Sequence, residues 1–115
     1  MTSSLLSRGD VWEVNLNPTR GHEQAGIRPA LVVSVDTFNR GAAGLVVVLP
    51  ITSMARGIPF HVPLIPPEGG VRRPSFIKCE DVRSISRERF IAPWGSVSGD
   101  TMNAVDDRLR ILLDL

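Results

Sequence analysis

From Val11 to Leu16 the chain alternates, with Trp12, Val14 and Leu16 on one side and Glu13 and Asn15 on the other. Successive strand side chains point to opposite faces, so this pattern predicts a strand with one buried face. Asn17-Pro18 breaks the pattern, and residues 17–27 read as a long polar loop. A second strand is expected over Ala30–Val35 and a third over Leu45–Leu49, apolar throughout and so buried on both faces. Between them Asp36–Gly41 fits a helical turn, and Pro50 is expected to end the third strand. Phe60, Val62 and Leu64 alternate around His61, which puts His61 on the outer surface, and Pro63 points to a sheet edge. After the turn-forming stretch Pro66–Gly70, a strand from Ser75 to Cys79 is expected to continue through Ile85, with another over residues 90–97.

The C-terminus changes period. Met102, Val105, Leu109, Leu112 and Leu113 fall on one side of a helix, which Ser98 or Asp100 can cap. Short strands, Gly/Pro turns and a closing helix predict a mainly β, α+β fold: a small barrel or curled sheet with a C-terminal helix. At 115 residues this is one domain, residues 1–115, with residues 1–7 as a frayed arm.

Composition narrows the function. No apolar run approaches the ~20 residues of a membrane span, and no signal peptide is read at Met1–Ser7, so a cytoplasmic location is expected. A single cysteine, Cys79, forms no intrachain disulfide and no thiolate metal site, and reads as a small strand residue. Net charge is only +1, too low for a broad non-specific nucleic-acid surface but compatible with a focused anion site. Of the 13 basic residues all but Lys78 are arginine, the side chain suited to bidentate phosphate contacts. Residues 91–115 carry more acidic than basic groups, so an anion site is expected in the first ninety residues. Phosphate-loop, dinucleotide and hydrolase-elbow motifs are absent, no metal site is expected from two histidines without cysteine pairs, and no cofactor is called for.

The stretch Gly21–Arg28 crowds an imidazole (His22), a carboxylate (Glu23), a carboxamide (Gln24) and a guanidinium (Arg28) between glycines and then runs into a strand. Cleaving RNA with side chains alone needs a base for the 2′-hydroxyl, a cation or donors for the phosphate, and an acid for the leaving oxygen. Arg28, restricted by Pro29 and set at a loop-to-strand junction, is the candidate phosphate ligand. Thr52 and Ser53, just beyond a buried strand, are candidate donors. Lys78 and Glu80 share a strand face with Phe76 and form a candidate acid/base pair, with Asp81 and Arg83 following. Each of these also has a plain structural reading: a solvated strand-edge arginine, local turn bonding, a solvated strand face.

Taken in order, several segments resemble the MazF/PemK (Kid/CcdB-like) toxin endoribonucleases over about residues 8–113. They are Arg8-Gly-Asp-Val-Trp12, the loop Asn17–Gly26, Arg28-Pro29, Phe38-Asn39-Arg40, Pro50-Ile-Thr-Ser53 and Lys78–Ile85. The resemblance implies a PemK-like, SH3-like barrel working as a homodimer. It implies metal-independent, sequence-specific cleavage of single-stranded mRNA to 2′,3′-cyclic phosphate and 5′-hydroxyl ends. It also implies a cognate antitoxin, with DNA reached only through the antitoxin complex. On this pattern Arg28 and Thr52 fall on catalytic positions, Glu80 or Glu23 is the base, and Lys78 or Arg28 the acid. His22, Gln24, Ser53, Asp81 and Arg83 would shape the RNA groove, with Phe38, Trp94 or arginine planes left for stacking. Lysine at position 78 and glutamate at position 80 replace the arginine and aspartate of one branch, which leaves the identity of the base open. The rival reading is a protein-binding toxin of the same fold that poisons a topoisomerase.

Overall fold

A computed structural model describes residues 6–18, 21 and 25–115. Among the described residues seven strands and two α-helices follow in chain order: β1 (Asp10–Asn15), β2 (Ile27–Val32), α1 (Asp36–Asn39), β3 (Leu45–Thr52), β4 (His61–Leu64), β5 (Ser75–Lys78), β6 (Arg83–Ser86), β7 (Phe90–Ser96) and α2 (Gly99–Leu113). The sheet is antiparallel with order β4-β5-β3-β2-β1-β7, and β6 pairs β3 beside that path. The mostly β architecture with one C-terminal helix is the expected one, but the sheet does not close on itself: β4 and β7 remain its two ends. Proline without an N–H is tolerated at such an edge, and Pro63 sits exposed on β4.

Both faces of the sheet bury apolar side chains. On one face Val11, Leu31, Leu49, Ile51, Leu64 and Ile77 pack with Val105 of α2. On the other, Trp12, Val14, Ala30, Val32, Val46 and Val48 form a second cluster. The central strand β3 feeds both, as its unbroken apolar run predicted. Each fully buried Leu or Ile contributes about 2 kcal/mol against leaving it in water.

Three boundaries differ from expectation. Leu6 is buried and the Ser7 amide donates to Asp10 Oδ2 at 3.0 Å, so the arm is tied down by residue 6. β2 begins at Ile27, which puts Arg28 and Pro29 inside the strand. Pro50 does not end β3 but lies buried within it, and the strand runs on to Thr52.

The segment 75–85 is not one strand. Ile51 pairs Ile77, whereas Val48, three residues earlier on β3, pairs Arg83, six residues further on. Three residues, Cys79–Asp81, are therefore looped out in a short 3-10 helix. Burial of Cys79 in the core and the 2.7 Å ion pair of Arg83 to Asp81 hold this excursion in place. Burial also pushes the Cys79 thiol up to about 12, with the Glu80 carboxylate adding to the shift.

Ser98, not Asp100, caps α2, its hydroxyl accepting from the Thr101 amide at 3.2 Å. Glu68 reinforces the cap: its Oε2 accepts from the Ser98 amide at 2.8 Å and the Thr101 hydroxyl at 2.6 Å. Of the expected apolar stripe, Val105 is buried and Met102 and Leu109 pack on the core, but Leu113 is exposed.

Candidate active site

Arg28 and Thr52 arrive together because β2 and β3 are antiparallel neighbours. Ala30 pairs Pro50, so the ends of the two strands that carry Arg28 and Thr52 lie side by side. They border a cleft of about 440 Å³ whose lining also includes Glu13, Pro29, Ile51, Ser53, Val71, Arg72, Arg73, Ser75 and Trp94. Arg28 is exposed, and its Nε donates to the Ala25 carbonyl at 3.1 Å. That bond orients the guanidinium fork and leaves its terminal nitrogens for an anion. The Thr52 side chain is buried and its Oγ1 accepts from the Met54 amide at 3.2 Å. A hydroxyl that accepts there still has its own proton to donate.

The stem of the loop before Arg28 is closed by backbone. The Leu16 amide donates to Gly26 at 2.9 Å, and the Gly26 amide to Asn17 Oδ1 at 3.0 Å. Arg89 Nη1 donates to the carbonyls of Asn15 (3.1 Å) and Asn17. The expected roles of His22, Glu23 and Gln24 lie outside the described residues.

The second half of the expected site is placed elsewhere. His61 is not a surface residue: its side chain is 3 % exposed and its Nε2 lies 2.9 Å from Glu80 Oε2. The physical reason is register. His61 pairs Lys78, and Thr52 pairs Phe76, so all four point to the same face, opposite Ile51, Val62 and Ile77. Around His61 that face is not open to water, because Glu80 of the looped-out 79–81 segment meets it there. Lys78 is likewise buried rather than solvated, 3.8 Å from Asp81 Oδ2, and Asp81 also receives Arg83. Lys78 and Arg83 thus gather on Asp81 while Glu80 pairs with His61, all outside the lining of the cleft, and Phe38 on α1 lies outside it too.

Sequence reasoning missed Glu13, Arg72, Arg73 and Ser75 as cleft residues. Glu13 looked like the wet face of an ordinary strand, and Arg72 and Arg73 fell in a 66–74 loop that the sequence ties to specificity without a conformation. Their convergence depends on β7 and the 68–70 turn folding over the same end of the sheet, which no local pattern announces.

The PemK-like, MazF-like toxin family of type II toxin–antitoxin systems matches residues 7–113. Endoribonuclease MazF9 of Mycobacterium tuberculosis is 38% identical over 116 residues, covering 96% of this chain and 98% of that protein. The crystal structure of MazF from Deinococcus radiodurans superposes with a TM-score of 0.85 at 33% identity, covering 96% of this chain and 97% of that one. A MazE–MazF crystal structure from the same organism gives 0.79 at 34% identity, covering 96% of each chain. Agreement along the whole length, in sequence and in fold, settles the family: the chain belongs to the PemK-like, MazF-like toxins of type II toxin–antitoxin systems.

Proposed function

We propose that this toxin is an endoribonuclease that cuts single-stranded mRNA at a short sequence, in the cytoplasm, and is held inactive by a cognate antitoxin. The observation that carries the reading is the meeting of Arg28 and Thr52, distant in sequence, at one cleft edge beside two further arginines. In that cleft Arg28 binds the scissile phosphate and stabilises the charge that grows on it during 2′-oxygen attack. Thr52 donates its hydroxyl proton to a non-bridging oxygen. Donors aimed at developing charge in this way supply the largest catalytic effect in many enzymes. The 2′-hydroxyl is internal to the substrate, so attack yields a 2′,3′-cyclic phosphate and releases a 5′-hydroxyl.

Glu80 already faces His61, outside the cleft lining, so we assign the base to Glu23, five positions before Arg28 in sequence. Lys78, buried with Asp81, is displaced in the same way, and Arg28 is assigned to the leaving 5′-oxygen. Every group in this scheme belongs to the chain, which favours catalysis without a metal. A homodimer and an antitoxin that covers the cleft complete the reading; the Deinococcus complex pairs MazF with MazE. DNA binding would come through the antitoxin, as the net charge of +1 gives the toxin alone little affinity for duplex.

The test is incubation of the purified protein with end-labelled single-stranded RNA in EDTA, alongside Arg28→Ala and Thr52→Ala. Persistent cutting with cyclic-phosphate ends, lost in both variants, supports the reading. Intact RNA of every sequence overturns it in favour of a protein-binding toxin.

A further inference from the structure

The cleft holds more than a phosphate site needs. Besides Arg28 and Thr52 its lining includes one indole, one carboxylate and two additional guanidinium groups: Trp94, Glu13, Arg72 and Arg73. Trp94 reaches it through a break in the ladder. Val11 pairs Gly95 while Trp12 pairs Pro93, so Trp94 is the unpaired extra residue of a β-bulge. Bulges re-aim a side chain, and here the indole is turned out of the β1–β7 pairing toward the cleft, 38 % exposed. Nothing in the core requires it there; the other tryptophan, Trp12, is 4 % exposed and packs edge-on against Phe90.

The two arginines are brought to the indole by a close backbone approach. A Cβ on Gly70 would lie 2.3 Å from the Trp94 carbonyl oxygen, so the 68–70 turn rests directly on the backbone of β7 at Trp94. Val71 then buries in the core, and Arg72 and Arg73 emerge exposed beside the indole. Glu13, on β1, lines the same cleft. No ion pair among the described residues joins Glu13 to these arginines, so its carboxylate is not spent on neutralising them.

The geometry points to a subsite for one unstacked guanine, read on three sides by Trp94, Glu13 and an arginine of the 72–73 pair. This rests on the nuclease reading and specifies its substrate. Unpaired RNA bases are recognised by stacking on aromatic planes and by bonding along their edges. Trp94 supplies the plane. A carboxylate accepts two parallel hydrogen bonds, and guanine alone offers two adjacent donors, N1–H and the N2 amino group, on its Watson–Crick edge. Adenine and cytosine set an acceptor beside their amino group, and uracil flanks its single donor with two acceptors, each of which a carboxylate repels. On its other edge guanine offers O6 and N7, the pair that an arginine fork fits. Indole, carboxylate and arginine therefore converge on one base.

The experiment digests a randomised single-stranded RNA pool with the wild type, Trp94→Ala, Trp94→Phe and Glu13→Gln, and sequences the cut ends. The wild type is expected to require guanine at one position near the cut. Trp94→Phe retains that requirement. Trp94→Ala loses it at that position alone, with KM raised on the order of tenfold, as loss of one stacked base implies, and kcat kept within about threefold, since uniform binding is what is removed. Glu13→Gln, which sets an amide donor against a guanine donor, relaxes the same position. Cutting by the wild type without a guanine requirement, or an unchanged profile in Trp94→Ala, overturns the subsite and leaves the nuclease reading standing. A wild type that cuts nothing overturns the nuclease reading instead. The subsite is then decided by fluorescence with uncleavable 2′-deoxy oligonucleotides. Quenching by the guanine form but not the adenine form, absent in Trp94→Phe where only buried Trp12 emits, supports it. Equal quenching by both, or none, overturns it.

Discussion

His61 Nε2 and Glu80 Oε2 meet at 2.9 Å beneath the looped-out 79–81 segment, with His61 Nδ1 and Glu80 Oε1 buried without hydrogen-bond partners. A carboxylate held this way serves the fold. Removing one partner of a buried polar pair strands the other and costs about 2 kcal/mol. Glu80→Gln and His61→Ala are each expected to lower stability by about that amount in urea melts, while kcat on RNA below the melting range stays within about tenfold. A kcat loss of about a thousandfold in Glu80→Gln at wild-type stability would instead make Glu80 the base.

Arg28 and Thr52 give the opposite signature. Arg28 is exposed, so Arg28→Ala should melt within about 0.5 kcal/mol of the wild type. Thr52 is buried and its hydroxyl is bonded to the Met54 amide, so Thr52→Ala should lose only about 1 kcal/mol. Each removes a donor to the developing charge, and kcat should fall on the order of a hundredfold or more. Arg28→Lys keeps the charge but not the fork and should recover only part of the loss. The check is single-turnover cleavage beside a thermal melt. Wild-type rates in Thr52→Ala would remove it from the mechanism.

The alternating segments Val11–Leu16 and Phe60–Leu64, the apolar run in β3 and the helical stripe around Val105 were legible because period alone reports one buried face. The same rule misplaced His61. Alternation assigned it correctly to the face opposite Val62 but could not show that residues 79–81 cover that face. Nor could it find the break after Lys78, since Ile77, Cys79 and Ile85 read as one continued pattern while the chain shifts register to pair β6 with the other half of β3. The half of the cleft that strand neighbours build, Arg28 with Thr52, was foreseeable from local motifs. In the other half Trp94 was legible as a stacking candidate, but its meeting with Glu13, Arg72 and Arg73 was not, because it depends on the bulge and the long-range packing of β7 against the 68–70 turn.

Glu68 predicts an acid sensitivity. Its carboxyl is held below the ordinary 4.5, chiefly by the Thr101 hydroxyl and then by the Ser98 amide at the start of α2. A carboxyl depressed in the folded state stabilises the protein fully above its unfolded pKa. That stabilisation is lost as pH falls through the folded value. Glu68→Gln should therefore lower stability by about 1 kcal/mol at pH 7, a figure discounted for partial solvent screening. Below the folded pKa, variant and wild type should converge. Urea midpoints across an acid-to-neutral pH series test this, and a constant difference throughout would show that charge plays no part in the clamp.

Gly70 ties stability to the shape of the cleft. Its φ is +76°, in the region that side chains resist, and an added Cβ would meet the Trp94 carbonyl oxygen at 2.3 Å. The obstacle is backbone, so no rotamer change relieves it. Gly70→Ala must push the 68–70 turn off β7 or shift the Trp94 bulge, at a cost of about 2 kcal/mol or more. Gly57 is the control: its φ is +64°, but nothing lies within 4 Å of a Cβ there, so Gly57→Ala carries only the left-handed penalty of about 1 kcal/mol. Gly70→Ala should also move the indole relative to Arg72 and Arg73, so near-UV circular dichroism should change in the tryptophan bands while Gly57→Ala leaves them unaltered. Equal destabilisation by the two variants with identical near-UV spectra would mean that the turn does not bear on Trp94.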